Sequence, residues 1–103
     1  MTELFVRKRI DILVDEALSG WLIEQAAAAG IAHYSLLSVH SGNGRGGRWR
    51  GDDGYGSLAK LMFVAVSNET KIEALITRLA AYIEEYGLVV TIYEVQVVRG
   101  ERF

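Results

Sequence analysis

Two amphipathic helical segments, each closed by a glycine and flanked by apolar runs, constrain the fold of this chain more than any other feature. In residues 15–29 apolar side chains recur at spacings of three and four, and Gly30 stands where helices commonly end. The second segment begins at Asn68, a residue suited to a helix N-cap, and ends at Gly87. Its apolar stripe comprises Ile72, Leu75, Ile76, Leu79, Ile83 and Tyr86. Both segments therefore predict helices with one buried face.

Four strand-like runs alternate with these helices, at residues 9–14, 31–40, 57–66 and 88–98. The resulting order is βαββαβ. This order predicts a single α+β domain over residues 1–103, ferredoxin-like, in which two helices cover one face of a four-stranded antiparallel sheet.

The second face of the predicted sheet is apolar as well. In the last strand, Val90 and Ile92 alternate with Val89, Tyr93 and Val95, so neither face is clearly polar. A solvated sheet face normally alternates into polar residues, and a large exposed apolar patch is an aggregation liability. We therefore expect another subunit to cover this face.

Residues 41–56, between the second and third strand-like runs, hold seven of the chain's eleven glycines together with Arg45, Arg48 and Arg50. Glycines let successive backbone N–H groups turn toward an anion, and arginine offers a planar fork of donors that fits phosphate or carboxylate oxygens. The pattern predicts a mobile loop that binds an anionic ligand. A long solvated hairpin loop without a ligand is the alternative.

Composition narrows the function classes. A net charge of −2 disfavours a general nucleic-acid binder, which carries a basic excess. The absence of cysteine excludes disulfides, thiolate catalysis and cysteine-bound zinc. No apolar run is long enough for a membrane span, and the N-terminal residues lack a signal-peptide pattern, so we expect a cytoplasmic protein without membrane insertion.

Two motif matches point to nucleotides or RNA but lack the required context. Gly42, Gly44 and Gly47 spell the G-x-G-x-x-G of dinucleotide-binding folds, yet a strand rather than a helix is predicted to follow them. RNA-recognition modules share the βαββαβ order and stack bases on aromatic residues of their first and third strands. Those strands here offer one aromatic residue, Phe63. An RNA-binding module therefore stays a minor alternative.

No catalytic or metal-binding constellation is apparent in the sequence. His33 and His40 are seven residues apart on one predicted strand, so they point to opposite faces and cannot share a metal within one subunit. Asp52 and Asp53 are adjacent acids of the glycine-rich loop, where carboxylates usually cap turns. We expect a non-enzymatic protein that requires no metal.

The βαββαβ order, the long Gly/Arg loop and the terminal strand ending in Arg and Gly resemble the PII-like signalling superfamily over essentially the whole chain. The segments SGNGRGGRWR and YEVQVVRGERF are most similar to PII-like proteins associated with bicarbonate transporters and carboxysomes. The resemblance implies a homotrimer that binds adenine nucleotides (ADP, AMP or ATP) in clefts between subunits. It also implies bicarbonate as a candidate second ligand, and signalling to a transporter or carboxysome component through the mobile loop, called the T-loop.

The same resemblance assigns nucleotide-binding residues around the loop. Gly42 and Gly44 would bring backbone amides against the phosphates, and Gly87 would lie in the short turn that frames the nucleotide from one side. Three arginines cover the place of the family's phosphate-binding arginines: Arg45, Arg48 and Arg50.

At the tail, Gly100 and Phe103 match a family-like G-x-x-F ending. Glu101 stands where that ending has an arginine, so the resemblance leaves Arg99 or Arg102 to supply the phosphate contact. The competing class is a metal-tolerance-type trimer, which has the same fold without a nucleotide site and would instead bind copper or zinc.

Overall fold

The protein is described by a computed structural model over residues 2–44, 47–50 and 59–103, with the backbone alone for Trp49 and Arg50. Its strands and helices are β1 (Leu4–Asp15), α1 (Ser19–Ala28), β2 (Ser35–Val39), β3 (Ser41–Gly44), β4 (Gly47–Arg50), β5 (Lys60–Ser67), α2 (Glu69–Leu79) and β6 (Val89–Val98). Short 3-10 turns occupy Glu16–Leu18 and Gly100–Arg102.

The main sheet has the strand order β2-β5-β1-β6, and every neighbouring pair is antiparallel. This confirms the predicted ferredoxin-like α+β fold. The register defines two ends of the sheet. We call one of them the loop end: there Asp15 pairs with Lys60, Lys60 pairs with Val39, and β6 begins. At the tail end, Leu4 pairs with Val98, and β5 finishes.

The hydrophobic core lies on one face of the sheet, beneath both helices. Ile10, Ile12 and Val14 alternate along β1 and are at most 1% exposed, because they pack against buried residues of α1 and α2. Those helical residues are Leu22, Ala26, Ile72, Leu75 and Leu79. The opposite face, which we call the open face, carries the alternate residues of each strand and is not packed against either helix.

Glycines close both helical segments, as the sequence predicts. Gly30 has φ +91°, and the N–H of Ile31 donates to the Ala26 carbonyl at 2.8 Å. Regular α2 ends at Leu79, but turns continue to Gly87, which has φ +62°. The N–H of Leu88 then donates to the Ile83 carbonyl at 2.9 Å. Both ends have the Schellman pattern, in which a left-handed residue lets the chain satisfy the last carbonyls.

The first strand is longer than predicted, because it begins at Leu4 rather than Arg9 and pairs with β6 as far as Val98. Asp15 is expected to begin a helix but ends this strand instead. Its carboxylate lies 2.5 Å from Lys60 Nζ, and α1 begins only after the 3-10 turn. The cross-strand ion pair explains why the acidic residue stays in the strand.

The described part of the glycine-rich loop is a two-stranded ribbon. β3 and β4 form an antiparallel pair that is separate from the main sheet. Ser41 lies opposite Arg50 at one end of the pair, and Gly44 lies opposite Gly47 at the other. The sequence predicts a mobile loop over residues 41–56 without strands in it; in the ribbon, backbone pairing satisfies N–H and C=O groups of residues 41–44 and 47–50. Arg45 and residues 51–56, Asp52 and Asp53 among them, lie outside the described residues.

Candidate functional site

The ribbon places part of the predicted anion site at the loop end of the sheet. Gly42 and Gly44 belong to β3, which follows the last residue of β2 after one intervening position. Arg48 is exposed on β4, opposite Asn43. The predicted glycines and this arginine therefore lie on one small β-ribbon that continues from the sheet edge.

A cleft of about 280 Å³ opens at the base of the ribbon. Its lining residues come from the end of β2, the start of β5 and the 3-10 turn: Glu16, Ser38, Val39, His40, Ala59, Lys60 and Leu61. Lys60 is held by Asp15 across the sheet, and its side chain is 24% exposed. The cleft thus places a cationic group beside the glycine-rich segment.

Gly87 also lies at the loop end, but at the opposite edge of the sheet. The turns that precede it are anchored by an aromatic cluster formed by Trp21, Tyr82 and Tyr86. The Trp21 ring meets Tyr82 at 5.3 Å and Tyr86 at 4.9 Å, both edge-to-face, and the two tyrosines stack. Such pairs contribute beyond their buried area, so the cluster holds the Gly87 turn against α1.

The tail residues occupy the other end of the sheet. Arg99 adopts a left-handed backbone, φ +63°, which turns the chain after β6. Gly100 is buried against Phe5, and a Cβ there would overlap the Phe5 side chain. Arg7 fastens the tail to β1, since its Nη2 donates to the Gly100 carbonyl at 2.8 Å and its Nε to that of Phe103 at 3.0 Å.

Arg102 is exposed and contributes to a small tail-end cleft together with His33 and Lys71. His40 lines the cleft at the loop end. Neither histidine belongs to β2: His33 precedes this strand and His40 follows it. Within residues 2–44, 47–50 and 59–103, no three of His, Asp and Glu lie together as a metal-binding group.

The predicted nucleotide-binding residues therefore divide into two groups. Gly42, Gly44, Arg48 and Gly87 lie at the loop end, whereas Arg99, Gly100 and Arg102 follow the tail end. β1 spans 12 residues between these ends. At roughly 3.3 Å per residue, the separation is about 35 Å. Within the described residues, the loop group and the tail group of one chain therefore lie too far apart to contact the same nucleotide.

The open face carries a polar cluster between β1 and β6. Arg9 binds Asp11 through Nε at 2.8 Å and Nη2 at 3.2 Å, and Tyr93 donates its hydroxyl hydrogen to the same carboxylate. The Arg9 guanidinium also lies 5.2 Å from the centre of the Tyr93 ring. Neighbouring positions on β5 are Val64 and Val66.

These contacts shift the titration of all three groups. Burial raises the pKa of the Asp11 carboxyl, but the hydrogen bonds from Arg9 and Tyr93, with the positive charge of Arg9, outweigh it and lower that pKa below its usual value. The hydrogen bond from Tyr93 to Asp11 raises the pKa of Tyr93, and the separate hydrogen bond from Arg9 to Asp11 raises the pKa of Arg9. The cluster is therefore ionised as an Arg–Asp pair with a neutral tyrosine near neutral pH.

A family model described as nitrogen regulatory protein P-II matches residues 7–102. The chain belongs to the P-II family. The match spans β1 to the C-terminal 3-10 turn, so it covers both groups of candidate site residues in this P-II chain. No curated protein matches it.

Solved structures similar to this P-II chain share its fold. CPII, a nitrogen regulatory PII-like protein from Thiomonas intermedia K12 bound to ADP, AMP and bicarbonate, has a TM-score of 0.91 and 23% identity, covering 100% of this chain and 98% of that one. A putative PII-like signaling protein from Thermus thermophilus has a TM-score of 0.83 and 22% identity, covering 98% of each chain. CutA from Synechococcus elongatus PCC7942, complexed with Bis-Tris, has a TM-score of 0.65 and 12% identity, covering 99% and 91%.

Sequence reasoning missed two residues of this P-II chain that organise the candidate site. Arg7 holds the tail, and Lys60 lies at the base of the ribbon. Arg7 precedes the predicted first strand, and Lys60 is a single cation in an apolar run, so neither stands out in the sequence. No helix among the described residues of this P-II chain has the length and apolar character needed to cross a bilayer.

Proposed function

We propose that this chain is a cytoplasmic, non-enzymatic signalling protein that binds adenine nucleotides at the boundaries between three copies of itself. ADP, AMP and ATP are the candidate ligands, and bicarbonate is a second ligand near the phosphates. The occupied site orders the T-loop, residues 41–56, and so controls a protein target in inorganic carbon uptake or in the carboxysome.

The observation that carries this proposal is the separation of the two residue groups. The loop and the tail of one chain lie at opposite ends of the sheet. A cleft that uses both groups must take them from neighbouring chains, and closed rotational symmetry repeats such a cleft at every boundary. The open apolar face provides the surface through which copies would associate.

The chemistry of each group suits a phosphorylated ligand. Arg48 and Arg102 are exposed, so both can direct guanidinium groups toward phosphate oxygens. The Arg7 contacts fix the backbone from which Arg102 projects. CPII, which has the same fold, binds ADP, AMP and bicarbonate, and this supports the choice of ligands.

Isothermal titration calorimetry of the purified protein with ATP, ADP and AMP, each with and without bicarbonate, tests the ligand assignment. We expect saturable binding that Arg45→Ala, Arg48→Ala, Arg50→Ala and Arg102→Ala each weaken by about tenfold or more, since charge-assisted contacts to phosphate are lost. Arg78→Ala is the matched control, because Arg78 is exposed on α2 and bonds only Gln25 among the described residues. Unchanged affinity in all four variants would refute the proposed site.

A metal-tolerance-type trimer is the second candidate, because the ferredoxin-like fold by itself does not distinguish the two functions. Calorimetry with copper and zinc salts separates the two functions. Metal binding in a protein that gives no heat with any nucleotide would favour this candidate.

A further inference from the structure

Arg7 is the residue whose side chain joins the first strand to the tail. Each of its three side-chain nitrogens donates to a different backbone carbonyl: Nη1 to that of Val6 at 2.8 Å, Nη2 to that of Gly100 at 2.8 Å and Nε to that of Phe103 at 3.0 Å. The guanidinium also lies 5.7 Å from the centre of the Phe5 ring, within the range of a cation–π contact. One side chain is therefore fixed on β1 and holds the tail at two points.

The two tail carbonyls lie on either side of Arg102 in the chain. Gly100 precedes this arginine by two positions, and Phe103 follows it directly. Within the tail, the N–H of Arg102 donates to the Arg99 carbonyl at 3.0 Å, and that of Phe103 to the Gly100 carbonyl at 3.1 Å. Such 3-10 bonds have poorer geometry than those of an α-helix. The backbone that carries Arg102 therefore depends on Arg7 for its order.

The chemistry of this fastening requires a guanidinium group. Within residues 2–44, 47–50 and 59–103, no carboxylate pairs with Arg7, whereas the neighbouring cations Lys8 and Arg9 each pair with one. The positive charge of Arg7 instead strengthens bonds to neutral carbonyls. A planar fork donates in several fixed directions at once, and a lysine ammonium is a point charge on a flexible stem. Lysine would keep the charge but lose the three-way contact.

We propose that Arg7 is a positioning residue of the nucleotide site: it holds the tail so that Arg102 meets the phosphate oxygens, and it does not contact the ligand itself. This inference rests on the proposed function and deepens it. Fixing a chain segment at the moment of binding loses conformational entropy, which lowers the affinity. The Arg7 bonds order the tail already in the free protein, so this loss is smaller when the nucleotide arrives.

The order of the tail is measured without any ligand. The heteronuclear NOE of the backbone amides of residues 101–103 reports their motion on the picosecond to nanosecond timescale. We expect values typical of ordered backbone in the wild type and clearly lower values in Arg7→Lys. Arg78→Lys is the matched control, because Arg78 is exposed on α2 and bonds Gln25, away from the tail. Equal values in Arg7→Lys and the wild type would overturn the inference.

Calorimetry with ADP tests whether the tail contact acts through Arg102. Arg7→Lys should weaken binding by about tenfold, as Arg102→Ala does, whereas Arg78→Lys should bind like the wild type. In the double variant Arg7→Lys/Arg102→Ala, the second change should add less than about twofold, since an arginine that is absent cannot be misplaced. Arg7→Gln, which also removes the charge, should weaken binding as much as Arg7→Lys. Far-UV circular dichroism verifies that each variant is folded.

A direct contact between Arg7 and phosphate, or a general loss of structure, gives a different pattern. Arg7→Lys would then weaken binding as much in the Arg102→Ala background as in the wild type, and that result would overturn the positioning role. Unchanged affinity in Arg7→Lys would overturn this role alone. A wild type that binds no adenine nucleotide would refute the proposed function and this inference together, so the two failures are distinguishable.

Discussion

At the scale of single residues, the contact between Gly100 and Phe5 shows how closely the tail is fitted to the first strand. The ring packs where any other residue would place its Cβ, and Arg7 holds the carbonyl of the same glycine. The glycine is therefore required for close approach rather than for an unusual φ. The position of Gly100 therefore fixes the backbone of the short 3-10 turn that carries the exposed Arg102.

We predict that Gly100→Ala lowers the free energy of unfolding by about 1–3 kcal/mol, because the added Cβ overlaps the Phe5 side chain. Urea unfolding at fixed protein concentration measures the change. In the double variant Phe5→Ala/Gly100→Ala the overlap is gone, so the two effects should be clearly less than additive. Strict additivity would show that the tail is not held against Phe5.

Asp11 gives stability a pH dependence whose sign follows from its contacts. Arg9 and Tyr93 keep its folded-state pKa below the usual value, so its contribution is present above about pH 4 and is lost as the pH falls through the folded pKa. Tyr93 has a raised pKa, so its contribution is lost only above about pH 10. Besides Tyr93, the residues opposite Arg9 and Asp11 on β5 and β6 are Val66, Val64 and Thr91, none of which titrates.

We therefore predict that the stability difference between the wild type and Asp11→Asn is constant from about pH 5 to pH 8 and shrinks below about pH 4. Urea unfolding of both proteins across this range, at one protein concentration, measures it. A difference that grows on acidification would contradict the assigned contacts.

At the scale of elements, α2 depends on its first turn. The Asn68 side chain accepts a hydrogen bond from the Lys71 backbone N–H at 2.9 Å, which satisfies one of the unpaired donors of the helix start. The helix then buries Ile72, Leu75 and Leu79 in the core. The cap thus supports an element that covers much of one sheet face.

Asn68→Ala should lower the free energy of unfolding by about 1 kcal/mol, since the cap bond is lost. The neighbouring Thr70→Ala serves as the control, because Thr70 is exposed within the same turn and should change stability by only a few tenths of a kcal/mol. Chemical denaturation of the two variants in parallel provides the comparison. Equal effects would mean that the cap bond contributes nothing measurable.

Local sequence patterns predict the helices and strands, but they miss strand boundaries that depend on contacts between distant residues. The helices, their glycine ends and the alternating faces of β6 follow from residue spacing, and the structure confirms them. The early start of β1 was missed because its first residues include three consecutive cations, 7–9, which hide the strand pattern. Residues 4–7 form a strand by pairing with β6, more than eighty residues away, and residues 8 and 9 pair with β5 as well.

At the scale of the whole molecule, the residues of the candidate site could be predicted from the sequence, but their positions relative to one another could not. The glycine-rich loop, its arginines and the tail are visible in the sequence. Their placement at opposite ends of the sheet depends on the strand order, in which β1 lies between β5 and β6. The Arg7 contact with Phe103 joins residues 96 positions apart, and no local pattern reveals it.

Mixed assemblies test the two-chain site directly. Arg48→Ala removes a loop group and Arg102→Ala a tail group, so each pure variant has only defective boundaries. In mixed trimers, roughly one boundary in three combines an intact loop with an intact tail. Calorimetry after co-refolding of equal amounts should therefore recover about a quarter of the wild-type stoichiometry at wild-type affinity, because random mixing leaves about a quarter of the proposed trimers with one variant alone. No recovery, with mixed trimers verified by native mass spectrometry, would contradict a site shared between chains.

The central place of β1 has a consequence for how the chain is made. β1 is synthesised before both of its neighbours in the sheet, β5 and β6, and β6 is the last of the described strands to be synthesised. Pairing between such distant segments is slow, because the intervening chain loses conformational entropy before the stabilising contacts form. Until β5 is synthesised, β1 with its core residues Ile10, Ile12 and Val14 has no strand to pair with, and nascent chains are then exposed to association with one another. Expression at low temperature or with holding chaperones should therefore raise the yield of folded protein.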